Sequence, residues 1–198
     1  MSFLTEAHPR NRHWRFLYRH RRSRANASTK QIIAGQIFTV IVSIVAGLWL
    51  DSLKHSIIAV AGAFILMPGI VDLSASLAGA LGAKVNHHLE EGDKSYVRIF
   101  AESVGYGLLV AVLAGGLVGA VGGLIGVMLF DADFMVMLKL MLISMFLVGI
   151  VIYPVVALLV VVIRHFKWNP DNLVGPIQSS LVDILTVIVI AVVAGWVV

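Results

Sequence analysis

Along this chain, long apolar runs alternate with short polar breaks. Five runs stand out, at roughly 31–50, 56–85, 101–130, 134–163 and 177–198. A helix needs about 20 residues, at 1.5 Å rise each, to cross a hydrocarbon layer of ~30 Å. Each run meets that length, and none alternates with the two-residue period of a strand. Backbone groups in lipid must be satisfied within their own segment, so helices are the expected form. The breaks are short: "DSLKHS", "NHHLEEGDKSYVR", "FDADFM" and "RHFKWNPDN". The predicted fold is an all-α integral membrane protein with five transmembrane helices.

Composition strengthens this reading. Hydrophobic residues make up 59% of the 198 residues and charged residues only 13%, about half the ~25% of soluble domains. Cysteine is absent, which excludes disulfides, thiolate metal sites and thiol nucleophiles. No phosphate-binding loop, zinc-protease helix or nucleophile motif is present, so the chain does not read as an enzyme.

Charge sets an orientation. Of 15 Lys and Arg residues, eight lie in the first thirty positions: Arg10, Arg12, Arg15, Arg19, Arg21, Arg22, Arg24 and Lys30. Residues 1–30 read as a basic cytoplasmic arm against anionic lipid heads rather than a nucleic-acid binder, and 31–198 as the membrane domain. With that arm inside, Lys84, Lys94, Arg98, Arg164 and Lys167 also fall inside, and only Lys54 and Lys139 fall outside. The N-terminus is expected in the cytoplasm and the C-terminus outside, in a multi-pass protein of the cell membrane. Five spans cannot form two equal inverted halves, so any two-fold symmetry requires a second chain.

The third run, "GYGLLVAVLAGGLVGAVGGLIGV", repeats glycine at four-residue spacing (Gly115, Gly119 and Gly123; Gly122 and Gly126). Small residues at that interval let helix backbones approach closely, which predicts a packing helix.

Two acids interrupt the apolar runs at membrane depth. Asp183 lies ~13 Å into the fifth span, and Asp72 is near the middle of the second. An Asp at a helix centre costs roughly 2.5–3.5 kcal/mol on insertion scales. No Lys or Arg stands at matching depth, since Lys84, Arg98 and Lys139 fall near span ends. That leaves protonation, hydrogen bonds from hydroxyls, or a cation with its water. Ser179, Asp183 and Thr186 share one helix face by spacing, and Ser76 follows Asp72 by four. Pro68 and Pro176 precede the two acids, and Pro154 interrupts the fourth run. Prolines in helices free carbonyls, which near an acid can serve a cation or its waters.

The candidate metal-facing residues are therefore Asp183 and Asp72, with Ser179 and Ser76. A hard divalent cation fits these oxygens. Mg²⁺ keeps most of its waters and binds through one or two carboxylates, whereas Ca²⁺ asks for six to eight oxygens. The adjacent histidines His87 and His88 point about 100° apart on a helix and read as a solvated flank. Glu90, Glu91, Asp93 and Glu102 read as solvated charges around the inner ends of the second and third spans.

The segments "NPDNLVGPIQSSLVDILTVIVI" and "FILMPGIVDLSASLAGALGAKV" resemble the fifth and second membrane helices of the MgtE/SLC41 family of magnesium channels and transporters. The resemblance extends over about residues 31–198. By position, Asp183 matches that family's ion-coordinating aspartate. The resemblance implies a homodimer, or a dimer of similar chains, whose cation pathway is lined by the second and fifth helices. It also implies Mg²⁺ as the transported ion. The large cytoplasmic regulatory domains of bacterial members have no counterpart in these residues, and the second helix carries Asp72 and serines where those members have glycine and asparagine. Two other readings stay open: a proton- or sodium-coupled carrier for another substrate, and a non-transporting membrane scaffold.

Overall fold

The computed structural model describes residues 12–58, 60–91 and 96–197, with side chains from Thr29 onward, Tyr96 excepted. It contains α1 (Arg12–Ile58), α2 (Ala63–Glu90), α3 (Tyr96–Phe130), α4 (Phe134–His165) and α5 (Pro170–Val197). Among the described residues there is no strand. All five helices contain stretches long and apolar enough to cross a membrane. The chain is a multi-pass helical membrane protein.

The helices outrun the apolar stretches that predict them. The segment "DSLKHS" is not a link, because α1 runs through it to Ile58. No Gly or Pro interrupts residues 51–58, Lys54 pairs with Asp51 at 2.6 Å, and the Ser52 hydroxyl donates to the Leu48 carbonyl. The chain turns instead before α2, where Gly62 adopts φ 77, a left-handed conformation that side chains with a β-carbon rarely take. At the other end, α1 is continuous from Arg12, so the basic segment and the first span are one helix. Residues 1–11, and the side chains of the arm before Thr29, lie outside the described residues.

The remaining corners have local causes. Asp133 caps α4, its Oδ1 accepting from the Val136 amide at 2.9 Å. The α4–α5 turn passes through Lys167 at φ 58. There Asn169 Oδ1 accepts from the Asp171 amide at 3.0 Å, and Pro170 opens α5. Proline suits a first helical position, where its missing N–H has no partner to lose. The fifth helix thus begins seven residues before the predicted span.

At the centre of the bundle, α4 buries Met137, Leu140, Met141, Met145, Val148, Ile152, Val156 and Val160. It packs against α2, α3 and α5, while α1 leans on α5 and scarcely meets α2. The glycines of α3 let α4 come close. A β-carbon at Gly115 or Gly119 would lie 2.9 Å from Met145 or Met141, and one at Gly122 would overlap Leu66 of α2. In lipid the apolar effect gives helices little reason to associate, so such close packing supplies much of the cohesion.

Candidate functional site

The residues of α5 that matter lie on two seams, one with α1 and one with α2. Toward α1 the two helices run parallel. Asn172 Nδ2 donates to Gln31 Oε1 at 3.3 Å, and a β-carbon at Gly35 would sit 3.2 Å from the Pro176 ring. Thr39 Oγ1 donates to the Pro176 carbonyl at 2.9 Å, and Ser43 Oγ donates to Asp183 Oδ2 at 3.1 Å. Gln31, Gly35, Thr39 and Ser43 fall every fourth residue, a single stripe of α1 laid along α5.

Asp183 is half-buried on this seam, and Ser43 is its hydrogen-bond partner among the described residues. Ser179 and Thr186, placed on its face by spacing, do not reach it. The Ser179 hydroxyl donates to the Pro176 carbonyl at 3.0 Å, as Ser180 does at 2.9 Å. Thr186 is fully buried, with its hydroxyl unpartnered.

Toward α2 the helices run antiparallel. Gln178 Nε2 donates to the Ala75 carbonyl at 3.2 Å, Gly79 faces Gln178, Gly82 faces Val174, and Asn86 Nδ2 donates to Asp171 Oδ1 at 3.2 Å. Seven residues back from Gly79 is Asp72, and seven forward from Gln178 is Leu185, so Asp72 and Asp183 lie at nearly one depth on neighbouring helices. Asp72 and Ser76 are exposed, on a stripe of α2 that also carries Pro68 and Ala80. Neither acid is paired with Lys, Arg or His among the described residues.

Below the acids, at the end of the bundle that carries Arg98, Arg164 and Lys167, a cavity of about 230 Å³ opens between α2 and α5. Gly79, Gly82, Ala83, Asn86, Asp171 and Gln178 are among its walls. It adjoins a second cavity, of about 380 Å³, through shared Pro170 and Asp171. Asn86, expected in a link, is instead a buried residue of α2 that joins three helices. Besides Asp171 of α5 it donates to Glu90 at 3.3 Å, and its Oδ1 accepts from Arg164 Nη1 of α4 at 2.8 Å.

The flanking charges behave as a solvated surface. His87 and His88 lie 3.2 and 4.0 Å from the two oxygens of Glu91, and Arg98 pairs with Glu102 at 2.8 Å. Among the described residues no three His, Cys, Asp or Glu side chains group to hold a metal. Asp93 and Lys94 lie outside the described residues.

The sequence alone does not single out Thr39, Ser43, Asn86, Asp171 or Gln178 as site residues. The signal for the first two was available: glycine, threonine and serine at positions 35, 39 and 43 form a small, hydroxyl-bearing stripe in an otherwise apolar helix. Nothing local marked Asn86 or Asp171 as partners.

Five apolar helices with carboxylates at one depth on two packed helices define a polytopic membrane protein with acid inside its spanning region. The family model for MgtE, a divalent cation transporter, matches residues 67–193, from within α2 to near the end of α5. The chain belongs to the MgtE divalent cation transporter family. No curated protein and no solved structure matches it. All of α1, including Thr39 and Ser43, lies outside the matched segment.

Proposed function

We propose that this protein carries Mg²⁺ across the membrane along a path lined by α2 and α5, with Asp183 as the principal ion-coordinating residue. The observation that carries the proposal is Asp183 itself. It is a carboxylate at membrane depth with one hydroxyl partner, Ser43, and no cationic partner among the described residues, in a chain of a divalent cation transporter family. A carboxylate so placed gains most from a cation that brings its own water. Mg²⁺ sheds its shell reluctantly, so water-mediated contact with one or two carboxylates suits it better than a closed cage of ligands.

The working unit is a homodimer in this proposal. Asp72 and Ser76 are exposed on a single protomer, and a carboxylate facing lipid at mid-depth costs roughly 2.5–3.5 kcal/mol. Apposing this face to a second copy puts Asp72 and Ser76 beside water and ions, and completes a two-fold path from an odd number of spans. The end carrying Arg164 and Lys167 is cytoplasmic, as the distribution of basic residues favours.

Flux into proteoliposomes tests the assignment. Asp183→Asn keeps shape and removes charge, and should lower Mg²⁺ flux at least tenfold. At a water-separated distance of about 5 Å, a divalent ion and a carboxylate interact by ~1.7 kcal/mol even at the dielectric of bulk water, and 1.4 kcal/mol is a factor of ten. Unchanged flux in a folded Asp183→Asn variant would remove Asp183 from the path. Uptake that follows a pH gradient without any divalent requirement would favour a proton-coupled carrier instead.

A further inference from the structure

We propose that the cavity between α2 and α5 is a second cation site, in which a hydrated divalent ion rests on the Asp171 carboxylate and the Gln178 side-chain oxygen. The proposal deepens the transport reading above by adding a binding step ahead of Asp183, and it is tested by binding rather than by flux.

Gln178 carries the argument. It is only 6% exposed, and its orientation is set by Nε2, which donates to the Ala75 carbonyl at 3.2 Å. Gln178 lines the cavity, and its side-chain oxygen is buried without a hydrogen-bond partner. A buried acceptor left unmet costs about 1–3 kcal/mol, so such an atom calls for a ligand or ordered water. The position is built for it. A β-carbon at Gly79 would come 2.9 Å from Gln178 Nε2, so glycine there is what lets the side chain lie across to α2.

Asp171 supplies charge. One of its oxygens accepts from Asn86 at 3.2 Å, which steadies the carboxylate, and the other has no partner among the described residues. Arg164, which lines the adjoining cavity, makes no ion pair with Asp171; its Nη1 donates to Asn86 Oδ1 at 2.8 Å, to the Asn86 carbonyl at 3.4 Å and to Glu90 at 3.5 Å. Lys167 lines the adjoining cavity and makes no ion pair with Asp171. The cavity therefore offers acceptors, which suit a cation and its waters. Its ~230 Å³ accommodates six waters at about 30 Å³ each, the first shell of Mg²⁺.

The placement is that of a waiting position. Gln178 lies five residues below Asp183 on α5, about 7.5 Å along the axis, and Asp171 lies about 18 Å below. An ion entering from the outer cavity meets Asp171, then the Gln178 oxygen, then Asp183.

Mn²⁺ binding to the full-length protein in nanodiscs, followed by electron paramagnetic resonance, tests this in an Asp183→Asn background that removes the upper site. One Mn²⁺ site should remain. Adding Gln178→Glu should tighten it at least tenfold, a gain that no folding defect can imitate. Adding Asp171→Asn or Gln178→Met should weaken it by a similar factor. Mn²⁺ binding that ignores Gln178→Glu, or that survives Asp171→Asn and Gln178→Met together, overturns the proposal. Failure of the Asp183 assignment would appear separately, as undiminished Mg²⁺ flux in the Asp183→Asn protein.

Discussion

Gly35 is where the α1–α5 seam is most open to a direct test. A β-carbon there would lie 3.2 Å from both Cβ and Cγ of Pro176, and a proline ring held in a helix cannot turn aside. Alanine asks the helices to part by only a few tenths of an ångström. That strain is offset by a helix-propensity gain approaching 1 kcal/mol over glycine, so Gly35→Ala should stay within about 1 kcal/mol of the parent. Leucine cannot be accommodated without separating the helices. A widening of about 1 Å takes the Thr39–Pro176 and Ser43–Asp183 bonds, at 2.9 and 3.1 Å, past hydrogen-bond reach. Overpacking costs about 1–3 kcal/mol, and each interhelical bond in a membrane adds about 0.6 kcal/mol. Gly35→Leu should therefore lose roughly 2–4 kcal/mol. The assay is reversible unfolding in mixed micelles followed by circular dichroism. Gly47→Leu serves as the control, since no atom lies within 4 Å of a β-carbon at that position on the same helix. Equal stability of Gly35→Leu and Gly47→Leu would refute the seam.

Two further tests exploit the absence of cysteine, which makes every introduced thiol unique. With the basic end in the cytoplasm, a membrane-impermeant maleimide added outside intact cells should label Lys139→Cys and leave Lys167→Cys unlabelled until the cells are opened. The reverse pattern would invert the topology. If the Asp72 face meets a second copy, Ser76→Cys should form a disulfide-linked dimer under mild oxidation. Leu117→Cys, 71% exposed on α3, should not; equal cross-linking at both positions would reject that interface.

The seams explain why the acids are legible in the sequence while their hydrogen-bond partners are not. Asp183 and Asp72 stand out because each is a single charge in a long apolar run. By spacing, Ser179 and Thr186 share a helix face with Asp183, yet the Ser179 hydroxyl turns back to the Pro176 carbonyl and Thr186 is buried in the core. A serine hydroxyl in a helix has the carbonyl three or four residues back as a nearer acceptor than a carboxylate one turn ahead, and face-sharing does not capture that competition. The real partner, Ser43, is 140 residues distant in sequence. The corner before α2 lies later than the polar letters suggest, for a similar reason. Polar letters in "DSLKHS" look like a loop, but they form an internal ion pair and a backbone-directed hydroxyl bond that a helix end tolerates.

What the sequence determined by itself are properties that add up along one segment. The free energy of placing a helix in lipid is a sum over its own residues, so span number, helical form and the cost of a lone acid could all be read from letters in a row. What tertiary structure decided are properties of pairs: which helix covers Asp183, why Gly35 and Gly79 must be small, how Asn86 ties Asp171 to Arg164, and where the Gln178 oxygen is left without a partner. Those depend on which faces meet and in what register. Contacts that close over more than seventy intervening residues leave no periodic trace in a single chain.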